Sequence, residues 1–262
     1  MSDTLNWMIY GATGYTGVLV AEEAVKHGHR PILAGRNEEK LRPLATRLDL
    51  EYRAFGLDDV QQVGEAIADM AIVYHAAGPF VHTALPMIKA CLATKTHYLD
   101  ITGELNVFEQ SFSYDEAASK NGIVIISGVG FDVVPTDCMA RYVAEQVPNA
   151  THLEIALAGF TGVSAGTSKS FLEMMPNGTK ARRNGQLETV PAGKNTRVSF
   201  PFGKSAALAI PWGDLSTGYR TTQIPNITTY MAMPGVAVTL AGVLSPIGRL
   251  LFSQRPIRNL AG

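Results

Sequence analysis

The run Gly11-Ala12-Thr13-Gly14-Tyr15-Thr16-Gly17 constrains this chain more than any other feature. It follows a short apolar segment with strand character, Trp7 to Tyr10, and opens an amphipathic stretch from Thr16 to His27. Strand, glycine-rich turn and helix in that order form the context in which a chain binds a dinucleotide. Each glycine has its own reason. Gly11 permits the tight turn, Gly14 lets backbone approach a pyrophosphate, and Gly17 lets the helix pack close to the sheet. The helix N-terminus then offers free N–H groups and the positive end of its dipole to the phosphates. Thr13, Tyr15 and Thr16 belong to the same expected binding loop. A nucleoside-triphosphate loop is disfavoured because no Gly-Lys-Ser/Thr follows.

The rest of the first half repeats the pattern. Strand-like runs are expected at Pro31–Ala34, Glu51–Ala54, Ile72–His75, His97–Asp100 and Ile123–Ser127. Helical patterns near Glu38–Leu48, Val60–Ala68, Ala84–Ala93 and Phe108–Lys120 separate them. The strands are short and apolar without clean alternation, as parallel strands covered on both faces should be. The expected fold class is therefore α/β, a Rossmann-type doubly wound parallel sheet. The pattern changes after about Glu145. Strand candidates at Thr151–Ala158, Arg197–Phe200 and Ile227–Met231, with a helix at Thr167–Met175, suggest a second, smaller α+β domain. The expected division is residues 1–145 for the cofactor domain and 146–262 for a substrate or oligomerisation domain, incomplete at its C-terminus relative to longer chains.

The second strand ends Leu33-Ala34-Gly35-Arg36-Asn37. An NAD-binding chain places Asp or Glu about there to hold the ribose 2′-hydroxyl. Arg36 instead suits a 2′-phosphate, and it can stack on adenine. Asn37 and Lys40 add donors. One charge-assisted contact is worth about 1.5–3 kcal/mol, or about a 10- to 100-fold preference. The expected cofactor is NADP. Asp58, just past the third strand, either contacts adenine or caps the next helix. The fourth strand runs into Ala76-Ala77-Gly78-Pro79, where Ala77, Gly78 and Pro79 suit close backbone approach to the second ribose and nicotinamide.

Two further loops lie at the same edge of the sheet. One carries Tyr98, Asp100 and Glu104, the other Asp132. Tyr98, Glu104 and Asp132 are the acid–base candidates, each with a plainer alternative: packing for Tyr98, a solvated loop position for Glu104, a helix cap for Asp132. His82 and His97 read as structural or surface residues, and Cys91 and Cys138 as buried thiols. No Tyr-x-x-x-Lys pair, Ser-His-Asp arrangement or metal-ligand spacing occurs, so the chemistry points to a cofactor and to no metal.

Composition narrows the classes further. Apolar residues make up 46% and charged residues 17% of 262, a globular balance. The formal net charge of −1 gives no field to draw nucleic acid. Two cysteines without a CxxC pair suit a reduced compartment, and the N-terminus lacks the pattern of a signal peptide. A cytoplasmic protein is the expectation. No charged residue occurs between Arg220 and Arg249, and Ile227 to Ile247 is strongly apolar but broken by Pro234, Pro246 and glycines. That segment is expected to be a buried strand and then a buried or dimer-facing helix. Contact with a membrane or a lipid-like substrate is a less favoured alternative.

The five motifs together resemble the saccharopine dehydrogenase-like superfamily, nearest its bacterial oxidoreductases and trans-acting enoyl reductases. They are the glycine loop, Ala34-Gly35-Arg36-Asn37, Ala76-Ala77-Gly78-Pro79-Phe80, Tyr98-Leu99-Asp100-Ile101-Thr102-Gly103-Glu104 and Gly128-Val129-Gly130-Phe131-Asp132. The resemblance implies an NADP-binding Rossmann domain, a second domain over the nicotinamide, and hydride transfer to or from an imine, carbonyl or activated C=C bond. It does not fix the small-molecule substrate. A protein that binds NADP(H) as a sensor or scaffold, without turnover, is the alternative. Acyl-phosphate reduction ranks lower, because it needs a nucleophilic cysteine at the nicotinamide.

Overall fold

The computed structural model of the protein describes residues 5–158, 179–190 and 195–233. The chain divides between Asp132 and Val133 into two compact units.

The first unit runs β1 (Trp7–Tyr10), α1 (Tyr15–Lys26), β2 (Ile32–Gly35), α2 (Glu38–Leu48), β3 (Tyr52–Ala54), α3 (Val60–Ile67), β4 (Ile72–His75), α4 (Phe80–Thr94), β5 (His97–Asp100), α5 (Leu105–Phe112), α6 (Asp115–Asn121) and β6 (Ile125–Ile126). Its strands are all parallel and ordered β3-β2-β1-β4-β5-β6, the Rossmann order. The alternation of side chains along a strand explains the layers. Met8 and Tyr10 enter the apolar cluster on one face, while Ile9 enters the cluster on the other. Both faces are thus buried, which is why the strands read as apolar runs. Register pairs Ala34 with Tyr10, Tyr10 with His75, and His75 with Asp100. The loops leaving the carboxyl ends of β2, β1, β4 and β5 therefore emerge side by side.

Two helices differ from their expected bounds. The single helix expected at Phe108–Lys120 is two, because Ser113 turns its hydroxyl back onto the Gln110 carbonyl and Asp115 and Glu116 begin a fresh acidic first turn. Helix α4 starts at Phe80 rather than Ala84. Its first N–H groups, of Phe80 and Val81, donate to the Glu104 carboxylate at 2.8 Å each. A cap from 24 residues away leaves no local signal.

The second unit contains α7 (Val134–Gln146), β7 (His152–Leu157), β8 (Thr179–Arg183), β9 (Gln186–Val190), β10 (Asn195–Phe200), β11 (Gly203–Ala209), α8 (Asp214–Thr222) and β12 (Asn226–Ala232). Helix α7 packs on α8 and β7, so the boundary lies before it rather than near Glu145. The sheet is mixed: β10-β11-β12-β8-β9, with β7 parallel to β12. Strand β12 is the start of the apolar run, and Ile227, Thr229 and Tyr230 in it are buried. The helix expected at 167–175 and the remainder of the apolar run lie outside the described residues. Arg182 is buried, donating to the Leu215 and Gly185 carbonyls at 2.7 Å each and lying over the Tyr219 ring. It braces its own unit and is not a solvated surface arginine.

Candidate functional site

The glycine loop follows β1 and ends at Gly14, the residue before α1. Gly14 N–H returns to the Gly11 carbonyl at 3.0 Å, and the Gly14 carbonyl takes the first helical bond, from Val18. No side chain caps this helix end. The N–H groups of the first turn, Tyr15 to Gly17, are left without intrahelical partners.

The three glycines are closed to substitution to different degrees. A Cβ on Gly17 would lie 2.3 Å from the Gly11 oxygen and 2.8 Å from Ala12 Cα. A Cβ on Gly11, whose φ is +86°, would meet the Ala76 and Ala77 backbone at 2.8 Å. At Gly14 only the Gly11 oxygen is near, at 3.2 Å, and the residue is exposed. Gly11 and Gly17 are therefore required by protein packing. Gly14 faces open space, as a residue beside a bound pyrophosphate must.

Beyond β2, Arg36 is exposed, and its guanidinium makes no hydrogen bond or ion pair among the described residues. Asn37 caps α2, its side-chain oxygen accepting from Lys40 N–H at 3.0 Å. That leaves the Asn37 amide NH₂ as its donor. Glu38, the nearest acid in sequence, is taken up by Arg42 at 2.8 Å and by the Tyr52 hydroxyl at 3.2 Å. After β3 it is Asp59, not Asp58, that caps α3, accepting from Gln61 and Gln62 N–H. Asp58 stays exposed on the loop, and both Asp58 and Arg36 act electrostatically on the buried Tyr10 hydroxyl.

The loop after β4 lays Ala76 and Ala77 against Gly11, and Gly78 beyond them is exposed. Beneath it His75 is fully buried, stacked on Tyr10 and edge-on to Phe80. Burial lowers its pKa to about 3, so its ring is neutral. Its Nε2 lies 3.0 Å from the Thr83 hydroxyl. The sequence places His75 at the end of the fourth strand but gives it no task. The only hint is a polar residue closing an apolar strand.

The acid–base candidates separate. Tyr98 is fully buried, and its hydroxyl donates to Asp100 at 2.8 Å. Asp100 also accepts from the Ser127 hydroxyl and from the Thr102 and Gly128 N–H groups, tying the ends of β5 and β6 together. Burial nonetheless raises the Asp100 carboxyl above the ordinary carboxylate range. Glu104 is buried as the clamp on α4 and is not a solvated loop residue. Asp132 does not cap α7, whose N-cap is Val133 with no side-chain bond. Its carboxylate lies against Gly103, where an added Cβ would fall 2.0 Å from Oδ2. His97 accepts from Val124 N–H, and His82 is exposed. Cys91 is buried, but Cys138 is exposed, which corrects the expectation of two buried thiols.

Among the described residues no group of three or more His, Cys, Asp or Glu side chains could hold a metal ion. No described helix is long and apolar enough to cross a membrane. A groove of about 440 Å³ opens at the amino ends of β1 to β3. Its charges are largely paired with one another, Arg30 with Asp49 and Arg53 with Asp69, and it lies at the edge opposite the glycine loop.

Comparison with known proteins agrees with this geometry. Residues 7–126 match the saccharopine dehydrogenase NADP binding domain. This chain belongs to the saccharopine dehydrogenase-like family. A trans-acting enoyl reductase of Mycobacterium tuberculosis is 32% identical over 199 residues, spanning 70% of this chain and 48% of the relative. A human saccharopine dehydrogenase-like oxidoreductase is 27% identical over 285 residues, 94% of this chain and 66% of the relative. The saccharopine dehydrogenase (L-Glu forming) of Saccharomyces cerevisiae has the same fold, with a TM-score of 0.66 at 15% identity over 93% of this chain and 58% of its own. The chain thus spans about half the length of the enoyl reductase relatives it matches.

Proposed function

We propose that this chain is an NADP(H)-dependent oxidoreductase acting on an imine, a carbonyl or an activated C=C bond. The observation that carries the proposal is the row of loops at the carboxyl ends of β1, β2 and β4, with the exposed Arg36 at one end. In this reading the first-turn N–H groups of α1 hold the pyrophosphate, with Gly14 leaving room for it and Thr13, Tyr15 and Thr16 around it. Arg36 binds the 2′-phosphate, assisted by Lys40 and the Asn37 amide, and Asp58 faces the adenine side. The 77–79 backbone lines the second ribose and the nicotinamide. Bound NADP(H) supplies the hydride donor or acceptor.

We assign the proton to Asp132. Asp132 is partly exposed on the loop after β6 at the carboxyl edge of the sheet, its carboxylate against Gly103, whereas Tyr98 and Glu104 are buried below that edge, bonded to Asp100 and to helix α4. Asp132→Asn should leave NADPH affinity within about twofold while lowering turnover by about 10²- to 10⁴-fold. The enoyl reductase relatives favour an activated double bond over other hydride acceptors. The test is loss of NADPH absorbance on incubation with a panel of enones, imines and aldehydes. Oxidation of NADPH with any of them supports the enzyme. Tight NADPH binding with no turnover on the whole panel would favour a sensor or scaffold, and no binding would remove both readings.

A further inference from the structure

We propose that Thr83 and His75 form a positioning pair that fixes the 76–79 loop and, through it, the nicotinamide-ribose half of the cofactor; this rests on the NADP(H) reading above. The Thr83 hydroxyl lies 2.6 Å from the Ala77 carbonyl, 3.2 Å from the Pro79 carbonyl and 3.0 Å from His75 Nε2. A threonine hydroxyl has one proton to give. The carbonyls can only accept, and the shorter contact takes it. Toward His75 the same oxygen must then accept, so Nε2 carries the ring proton. The bare Nδ1 is consistent with this, since it is buried and has no hydrogen-bond partner. The ring is neutral at ordinary pH, which keeps this tautomer in place. Tyr10 at 5.4 Å and 17° and Phe80 at 5.4 Å and 74° hold the ring's orientation.

The chain of donors thus runs from His75 Nε2 to Thr83 to the Ala77 carbonyl. On its other side, the Ala76–Ala77 backbone is the surface that excludes a Cβ at Gly11. The Glu104 carboxylate fixes the next two N–H groups, of Phe80 and Val81. The loop is therefore anchored at both ends from within the domain, and the Thr83 side chain reaches two of its carbonyls. Neither Thr83 nor His75 needs to touch the cofactor to matter.

Thr83→Val keeps the shape and removes the hydroxyl. Thr83→Ser keeps the hydroxyl. Two probes separate the halves of the site: NADPH, and adenosine 2′,5′-bisphosphate, which carries the 2′-phosphate but no nicotinamide ribose. Thr83→Val should weaken NADPH binding about tenfold, the size of one lost buried hydrogen bond. It should reduce the fluorescence enhancement of bound NADPH and leave the bisphosphate within about twofold. Thr83→Ser should restore both signals. If Thr83→Val does not fold, His75→Phe, which keeps a ring but lacks the donor, should show the same selective loss. Equal loss of both probes, or no loss of either, overturns the proposal. A parent protein that binds neither probe overturns the NADP(H) reading itself, and the proposal with it.

Discussion

Gly14 and Gly17 share one loop and one residue type, yet the physical demands on them are opposite. Gly17→Ala would push a methyl into the Gly11 carbonyl and the Ala12 backbone. Neither neighbour is a flexible side-chain tip that can swing away. The substitution should cost stability, measured as a lower denaturation midpoint without any ligand. At Gly14 a Cβ meets only the Gly11 oxygen, at 3.2 Å, so Gly14→Val should lower the midpoint less than Gly17→Ala does while abolishing NADPH binding, because its side chain enters pyrophosphate space. A Gly14→Val destabilised as much as Gly17→Ala, or one that still binds NADPH, would contradict the assignment of the two roles. Arg36 offers the complementary experiment. Among the described residues its guanidinium makes no hydrogen bond or ion pair, and Glu38 is already engaged by Arg42 and Tyr52. The parent should bind NADPH at least about tenfold more tightly than NADH in a fluorescence titration. Arg36→Asp should erase or reverse the ratio. Equal affinities in the parent would sink the argument from this position.

At the scale of elements, what the sequence reveals depends on how local the cause is. Helix α2 matches its expected span, Glu38–Leu48, because its determinants lie within it: the Asn37 cap, an acidic first turn and a basic last turn. The four-residue strands β1, β4 and β5 are equally legible, since burial on both faces leaves an apolar run. Elements set by distant partners are not. The start of α4 depends on Glu104, and β11 pairs antiparallel with β10 and β12 without a local signal, whereas β8 and β9 are joined by Asn184-Gly185, both at positive φ, a two-residue hairpin turn that the reading of the sequence missed. The site divides the same way. The glycine loop and Arg36 can be read from order and spacing, but that Asp58 does not cap α3 is learned only from which carboxylate reaches the Gln61 N–H, that of Asp59. The Glu104 clamp can be tested directly. Glu104→Gln replaces one acceptor by an NH₂ facing a backbone N–H, and should lower the stability of the first unit by about 2–3 kcal/mol. With Glu104 assigned to the helix end it accepts from, any residual turnover should keep the parent's pH profile. A profile shifted without loss of stability would return Glu104 to the acid–base candidates.

At the scale of the whole chain, two buried groups make the units respond to acid with opposite signs. In the first, burial depresses His75 from 6.5 to about 3. The unfolded chain takes up a proton that the folded unit refuses, so this stability is present above pH 6.5 and is lost as pH falls toward 3. Between pH 7 and pH 5 the loss is about 2 kcal/mol. Asp100, whose pKa burial raises, works in the other direction within the same unit. In the second unit, burial raises Asp214 from 3.8 to about 6, with Asp137 adding to the shift and Thr136 opposing it. Here the folded state holds the proton more tightly. The contribution is fully present below pH 3.8 and is lost as pH rises through 6, so moving from pH 7 to pH 5 stabilises this unit by about 1 kcal/mol. The chain has two tryptophans, Trp7 in the first unit and Trp212 in the second. Trp212→Phe and Trp7→Phe therefore give single-tryptophan proteins that report each unit by its own fluorescence in a urea titration. The Trp212 midpoint should rise between pH 7 and pH 5, and the Trp7 midpoint should fall by as much as the His75 contribution exceeds that of Asp100. His75→Phe should flatten the first dependence, and Asp214→Asn the second. Midpoints that move together in the parent, and are unchanged in pH dependence by either substitution, would show that these two groups do not govern the response.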